Sequence, residues 1–212
     1  GRNEERPPNH SLSTDPYTYY AWIDKYDTLT QDEISHIHNH TNTFKYHPLI
    51  SILLPIYNTP ESFLRETLDS ILMQTYLNWE CCIADDVSSM PHIRHIIDSY
   101  INRDPRFKVI YRKTRGYISA ASNTALSLAS GSYVGLLGQN DVLREHALYM
   151  IVNEINHHPY AEIIYSDEDL IDEFSVRYDP YFKPDWNPEL FTGHNLIAHF
   201  GVYRTERVKK LG

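Results

Sequence analysis

The sequence is short of cysteine, glycine, positive charge and long apolar runs, and each shortage excludes something. Its two cysteines, Cys81 and Cys82, are chain neighbours inside an apolar segment, which suits neither a disulfide framework nor a zinc site with spaced ligands. A reducing, cytoplasmic compartment is the natural expectation. No stretch approaches the roughly 20 apolar residues needed to cross a bilayer, and the polar N-terminus lacks the apolar core of a secretory signal. The chain therefore reads as soluble, with no transmembrane segment and any membrane association peripheral, at the inner face. Nineteen Lys and Arg against 28 Asp and Glu leave a net charge of −9, which argues against nucleic acid as a partner. The eight glycines form neither the Gly-x-Gly-x-x-Gly turn of a dinucleotide site nor a P-loop, and there is no Gly-x-Ser-x-Gly elbow of a hydrolase.

What is present is a repeated alternation of strand and helix patterns. The 212 residues suit one sizeable α/β domain with a short appendage. Residues 1–16 are polar and carry Pro7, Pro8 and Pro16, too little apolar material to order by burial, and read as a flexible lead-in. Residues 17–47 read as a helical appendage, with Trp22, Ile23 and Tyr26 on one segment and Ile34 and Ile37 on another. From residue 48 onward, apolar runs rich in β-branched residues at 49–56, 79–84, 107–111, 133–137 and 162–165 predict strands. Between them, helical periodicity falls on Leu64, Leu68 and Ile71, then Ile93, Ile96 and Ile97, then the small residues of 119–129, then Leu143, Ala147, Ile151 and Ile155. Such alternation implies a mostly parallel sheet flanked by helices, whose ligands bind beyond the carboxyl ends of the strands. Tyr57-Asn58, Asp85-Asp86, Asn140-Asp141 and Asp167-Glu168-Asp169 all fall at such ends. After Asp172 the periodicity fades into an aromatic, proline-bearing stretch that reads as a segment wrapping over the sheet.

Several strings carry a more specific signal. Ser51-Ile52-Leu53-Leu54-Pro55-Ile56-Tyr57-Asn58-Thr59 resembles the first strand of family 2 glycosyltransferases of the GT-A fold, and Leu68-Asp69-Ser70-Ile71-Leu72-Met73-Gln74-Thr75-Tyr76 resembles their first helix. The resemblance continues through Trp79-Glu80, Ala84-Asp85-Asp86, Gly116, residues 118–126, Tyr165-Ser166-Asp167-Glu168-Asp169 and residues 182–188. Each string is weak alone, and their order is specific. The resemblance implies a GT-A, Rossmann-like domain over residues 48–212 whose C-terminal part is missing. It further implies an inverting transferase of polysaccharide or O-antigen assembly, taking a nucleoside diphosphate sugar, with a UDP-sugar favoured, and a glycan or lipid-linked glycan acceptor. A nucleotidyltransferase shares a related plan, but its Gly-rich phosphate loop near the first strand is not evident here.

The same resemblance places Pro55, Tyr57, Asn58, Asp85 and Asp86 around the nucleotide, with Asn123 and Asn140 also on the donor side. A strand-end carboxylate can accept hydrogen bonds from a uracil-like imide or a ribose hydroxyl; by residue type alone, Asp85-Asp86 reads more readily as a cap on the following loop or helix, and the surrounding motifs favour nucleotide binding. Arg112, Lys113 and Arg115 precede the helix that begins near Ser119, so these cations and a helix N-terminus could face a diphosphate. A solvated basic loop is the competing reading. Relatives more often carry asparagine at the position of Arg115 and a small residue at that of Tyr117.

One motif departs from the family pattern. Where relatives carry an Asp-x-Asp-Asp-like string that holds Mg²⁺ or Mn²⁺ against the diphosphate, this chain reads Gly138-Gln139-Asn140-Asp141. Hard divalent ions favour carboxylate oxygens, so metal binding is expected to be weakened, with Asp141 and His199, in Ala198-His199-Phe200-Gly201-Val202-Tyr203-Arg204, as the remaining candidate ligands. Asp167, Glu168 and Asp169 are expected on the acceptor side. The general base of inverting transfer is implied beyond the position matching Gly212. A catalytically inactive binding module is therefore the alternative to an active enzyme. His36, His38 and His40 read as a solvated helix face rather than a metal site, for want of a third spaced ligand.

Overall fold

A computed structural model describes residues 16–211. The lead-in expected at residues 1–16 lies outside the described residues, except that Pro16 opens the first helix. The chain divides into two compact units, though not at residue 47 as its sequence suggested.

The larger unit, residues 31–166 and 184–212, contains α2 (Gln31–Thr41), β1 (Ile50–Ile56), α3 (Glu61–Leu72), β2 (Trp79–Asp85), α4 (Pro91–Arg103) and β3 (Phe107–Tyr111). These are followed by α5 (Tyr117–Leu128), β4 (Tyr133–Leu136), α6 (Ala147–His157), β5 (Ile163–Ile164), α7 (Pro188–Gly193), β8 (Val202–Arg204) and α8 (Thr205–Leu211). Its sheet has the order β3-β2-β1-β4-β8-β5. β1 to β4 are mutually parallel, and β8 runs antiparallel to both its neighbours. The mostly parallel sheet expected from the alternating pattern is therefore present.

Side chains alternate across a strand, and the sheet sorts its residues accordingly. Ile50, Ile52, Leu54 and Ile56 of β1, with Cys81 and Ile83 of β2, pack against Leu64, Leu68 and Ile71 of α3 and Ile93, Ile96 and Ile97 of α4. Leu53, Cys82 and Ala84 face the other way, against Ala121, Ala125 and Leu126 of α5. The alanines let α5 lie close on the sheet. Each large aliphatic side chain so buried contributes about 1.5–3 kcal/mol. The two cysteines therefore lie on opposite faces, both reduced and buried, and burial pushes the Cys82 thiol up to about 12.

One carboxylate ties the inner strands together. Glu80 on β2 is 4 % exposed and accepts hydrogen bonds from Ser51 Oγ at 2.6 Å, Ser130 N at 2.6 Å and Lys108 Nζ at 2.5 Å. β1, β3 and the approach to β4 are thereby joined to β2. The chain can pass there because residue 131 is glycine: a Cβ at that position would lie 2.3 Å from the Leu49 carbonyl oxygen.

The smaller unit comprises α1 (Pro16–Tyr26), β6 (Glu168–Ile171) and β7 (Arg177–Tyr181), within residues 1–30 and 167–183. β6 and β7 form a two-stranded antiparallel sheet. This replaces the wrapping segment expected after Asp172. The hairpin was not legible because both strands are partly exposed and neither has an apolar run. Its turn is held by Asp172 Oδ1, which accepts from Phe174 N and Val176 N, each at 2.9 Å. The unit is centred on Arg177, whose guanidinium bonds the carboxylates of Asp27 and Asp169. The Tyr19 hydroxyl donates to Asp169, and burial together with that carboxylate holds the phenol well above its usual range. Phe182 packs edge-on against Trp22, with ring centroids 5.0 Å apart.

Burial alone would raise the pKa of Glu80, but the bonds from Lys108, Ser51 and Ser130 outweigh it and bring it from 4.5 to about 2. A carboxylate depressed in the folded state adds stability above its unfolded value that is lost as pH falls through the folded one. Glu80→Ala is expected to lower unfolding free energy at pH 7 by about 3 kcal/mol. The urea midpoint of the variant should also vary less than that of the parent between pH 4.5 and about 2. An unchanged midpoint at pH 7 would refute this role.

Candidate functional site

The carboxyl ends of β1, β2 and β4 are knitted into one edge by backbone and side-chain bonds. Asp86 N donates to the Ile56 carbonyl at 2.8 Å, and Arg112 N to the Asp85 carbonyl at 2.9 Å. Asn58 has φ 49°, a left-handed conformation that its short amide tolerates. Its N–H donates to Ser88 Oγ at 2.9 Å, and its Oδ1 accepts from Ser89 N at 2.8 Å and Met90 N at 3.3 Å. Asn58 thus joins the β1 and β2 loops. Pro55 is buried within β1, opposite Ala84 in register.

The two acids at the end of β2 have different surroundings. Asp86, 2 % exposed, accepts from Gly116 N at 2.9 Å, Tyr117 N at 2.7 Å and Arg112 Nε at 2.8 Å. It occupies the N-terminus of α5, the place where an anion is favoured by unpaired N–H groups. Arg112 is committed as well: its Nη1 donates to the Ala120 carbonyl at 2.8 Å and to Thr124 Oγ1. Asp86 therefore caps α5, a helix distant in sequence, rather than the loop or helix that follows it. Arg112 and the helix N-terminus, expected to face a diphosphate, are instead engaged with this carboxylate.

Among the described residues the Asp85 carboxylate, 7 % exposed, accepts only from Ser88 N, at 3.3 and 3.4 Å. These contacts are long for a charge-assisted bond, so acceptor capacity remains for a ligand. It lines a cavity of about 320 Å³ with Ser88, Met90, Arg94, Tyr111 and Arg112. The wall of this cavity is a flat pair, the Arg94 guanidinium lying 3.9 Å over the Tyr111 ring.

Tyr57 follows β1, and the Arg115 guanidinium lies 3.8 Å from its ring centroid, with the ring of Tyr117 4.7 Å away on the same cation. Among the described residues Arg115 has no carboxylate partner. Tyr57 N donates to Gln139 Oε1 at 2.7 Å, linking β1 to the altered motif. Gln139 and Tyr117 were not among the residues singled out for the site. Gln139 stands at the variable position of the family motif, and Tyr117 reaches the site only through Arg115. Asn123 is exposed on α5.

The 138–141 loop is folded onto itself. Gly138 N donates to Asp141 Oδ2 at 2.9 Å, and Asp141 N to the Gly138 carbonyl at 3.2 Å. A Cβ at 138 would lie 2.5 Å from Asp141 Oδ2, so the carboxylate sits where a side chain at 138 would be. Asn140 is exposed, as is His199, which lies between buried Ile197 and Phe200. Mg²⁺ or Mn²⁺ needs several oxygen ligands with some choice of orientation. One carboxylate held by a backbone N–H, with an amide as its chain neighbour, does not make such a set. No group of three His, Cys, Asp or Glu disposed to hold a metal ion is present among the described residues.

In the smaller unit, Asp167 Oδ1 accepts from Lys183 N at 2.7 Å, Glu168 pairs with Lys183 Nζ at 3.2 Å, and Asp169 is held by Arg177. His40 Nδ1 lies 2.8 Å from the Tyr149 hydroxyl, and His36 stacks on His40. Structural partners therefore surround these groups.

Comparison with known proteins bears on the family and the fold. Over 165 residues the chain is 44% identical to the uncharacterized protein y4gI of Sinorhizobium fredii, covering 78% of this chain and 18% of that protein. It is 36% identical over 165 residues to the O-antigen biosynthesis protein RfbC of Myxococcus xanthus, covering 78% of this chain and 13% of that one. The chain thus spans less than a fifth of the length of these relatives. Among solved structures, S. aureus TarS 1-349 in complex with UDP-GlcNAc superposes with a TM-score of 0.63 at 21% identity, over 76% of this chain and 47% of that one, which shows a shared fold. The family model described as Glycosyl transferase family 2 matches residues 51–212, and the chain belongs to that family.

Proposed function

We propose that this chain binds the donor of a glycosyl transfer, a nucleoside diphosphate sugar with a uridine nucleotide favoured, at the carboxyl edge of β1, β2 and β4. The observation that carries this reading is Asp85, a nearly buried strand-end carboxylate with only long contacts among the described residues, beside a cavity and paired in register with Ile56, the residue before Tyr57. Burying a carboxylate without strong partners is costly, and a ligand that donates N–H or O–H to it offsets that cost. A uracil imide or ribose hydroxyl has that chemistry. The solved relative bound to UDP-GlcNAc and the relative in O-antigen biosynthesis support a uridine donor and a role in surface polysaccharide assembly.

The transfer itself is read as inverting, to a glycan or lipid-linked glycan acceptor. Such a reaction needs a base to take the acceptor proton and positive charge to stabilise the departing diphosphate. Among the described residues no helix is long and apolar enough to cross a membrane, and we place the chain at the cytoplasmic side, peripheral to the inner face where a lipid-linked acceptor would be met. A second reading, a binding module without turnover, is favoured by the inward-turned Asp141 and the amide at 140. Under either reading a divalent ion contributes weakly.

Calorimetric titration with UDP and UDP-sugars is expected to show binding that falls at least ~10-fold in Asp85→Ala, with unfolding free energy changed by less than about 1 kcal/mol. Tighter binding of GDP than of UDP would overturn the uridine preference, and an unaffected Asp85→Ala would overturn the site. Asp86→Ala behaves oppositely in this account: its three donors lose their acceptor, and urea unfolding should register a loss of about 3 kcal/mol. A stable Asp86→Ala protein would contradict the cap.

A further inference from the structure

We infer that the donor's diphosphate is bound here without a divalent cation, its charge being met by the guanidinium of Arg115. This rests on the donor-binding reading above and specifies how that site handles the phosphates.

Several positive features stand near the edge: Arg94 lies over the Tyr111 ring at the cavity wall, Lys113 is exposed on the loop after β3, and two others are already engaged. The N-terminal N–H groups of Gly116 and Tyr117 are taken by Asp86, and Arg112 is bonded to Asp86, Ala120 and Thr124. Arg115 is different: it is exposed, has no carboxylate partner among the described residues, and lies against the ring of Tyr57. A guanidinium resting on an aromatic face keeps its N–H donors in its own plane, where they can meet two phosphate oxygens at once. Tyr57 follows directly on Ile56, which is the register partner of Asp85. The cation is thus fixed close to the group proposed to hold the base.

The altered motif fits the same conclusion from the side of charge. A divalent ion in a cluster of acids offsets the acids' own charge as well as that of the diphosphate. Replacing two acids by Gly138 and Asn140 removes the charge that such an ion would first have to neutralise. An acid triad with one divalent ion and a lone Asp141 without it carry the same formal charge. The remaining acid is also turned inward, since Asp141 accepts the Gly138 N–H and fills the space of the absent side chain. A side chain at 138 would meet Asp141 Oδ2 at 2.5 Å and displace that carboxylate from its inward position.

The test is calorimetry of this chain with UDP and with uridine, in EDTA and in Mn²⁺, for the parent, Arg115→Ala and Arg115→Lys, with thermal melts as a folding control. In EDTA the parent should bind UDP at least ~10-fold more tightly than uridine, as expected for charge-assisted bonds to phosphate, and Mn²⁺ should change that by less than about 2-fold. Arg115→Ala should abolish the preference for UDP while uridine still binds, and Arg115→Lys should retain part of it. Tightening of UDP binding by ~10-fold or more on adding Mn²⁺ to the parent would overturn the inference, as would an UDP preference that survives Arg115→Ala. Uridine binding that depends on Asp85, with UDP no tighter, would sink this inference alone; no binding of either ligand would remove the donor site and this inference with it. In the double variant Gly138→Asp/Asn140→Asp, UDP binding should become at least ~10-fold tighter in Mn²⁺ than in EDTA; no such gain would refute the account of the two replaced positions.

Discussion

The carboxyl edge of this domain's sheet depends on one desolvated carboxylate. Asp86 is almost fully buried, and a buried charge without partners would cost several kcal/mol. Its partners come from two other elements: the guanidinium that follows β3 and the first two N–H groups of α5. Meeting the needs of that one group fixes where β3 ends, where α5 begins and how the intervening loop runs. The loop in turn carries Arg115 to the ring of Tyr57. Asp85, one residue earlier, has no such set of donors and is left with acceptor capacity at the cavity. Two identical side chains at consecutive positions therefore meet different surroundings, as successive side chains of an extended chain point in different directions.

A second buried acid does comparable work at the opposite end of the sheet's interior. Glu80 joins β1, β3 and the entry to β4 through Ser51, Lys108 and Ser130. Parallel strands are connected by long crossovers, so their relative position is not set by tight turns. Polar bonds of this kind supply a register that apolar packing alone specifies less sharply.

The sheet was legible because its inner strands are continuous apolar runs and its helices carry clear periodicity, as at Leu64, Leu68 and Ile71. Convergence of Tyr57, Asp85 and the 138–141 loop followed from strand ends lying together. The smaller unit was not legible. It is held by Arg177, Asp27, Asp169 and Tyr19, which come from distant parts of the chain, and no local pattern announces such pairings. For the same reason the partners of Asp86 and Arg112 could not be assigned from residue types: a carboxylate before a loop and an arginine after a strand suit a cap and a phosphate site equally. Gln139 was overlooked because its role is to accept one backbone N–H from a neighbouring strand, a use that any of several side chains could fulfil.

The inward turn of Asp141 has a consequence for how this motif can change over generations. Positions 138 and 141 share one space, so their substitutions cannot be independent. An acid introduced at 140 alone would leave Asp141 folded against Gly138, and the new carboxylate would stand by itself. A side chain introduced at 138 alone would meet Asp141 Oδ2 at 2.5 Å and displace it. With glycine at 138, the inward turn of Asp141 is held in place by the loop's own geometry, as a ratchet is by its pawl.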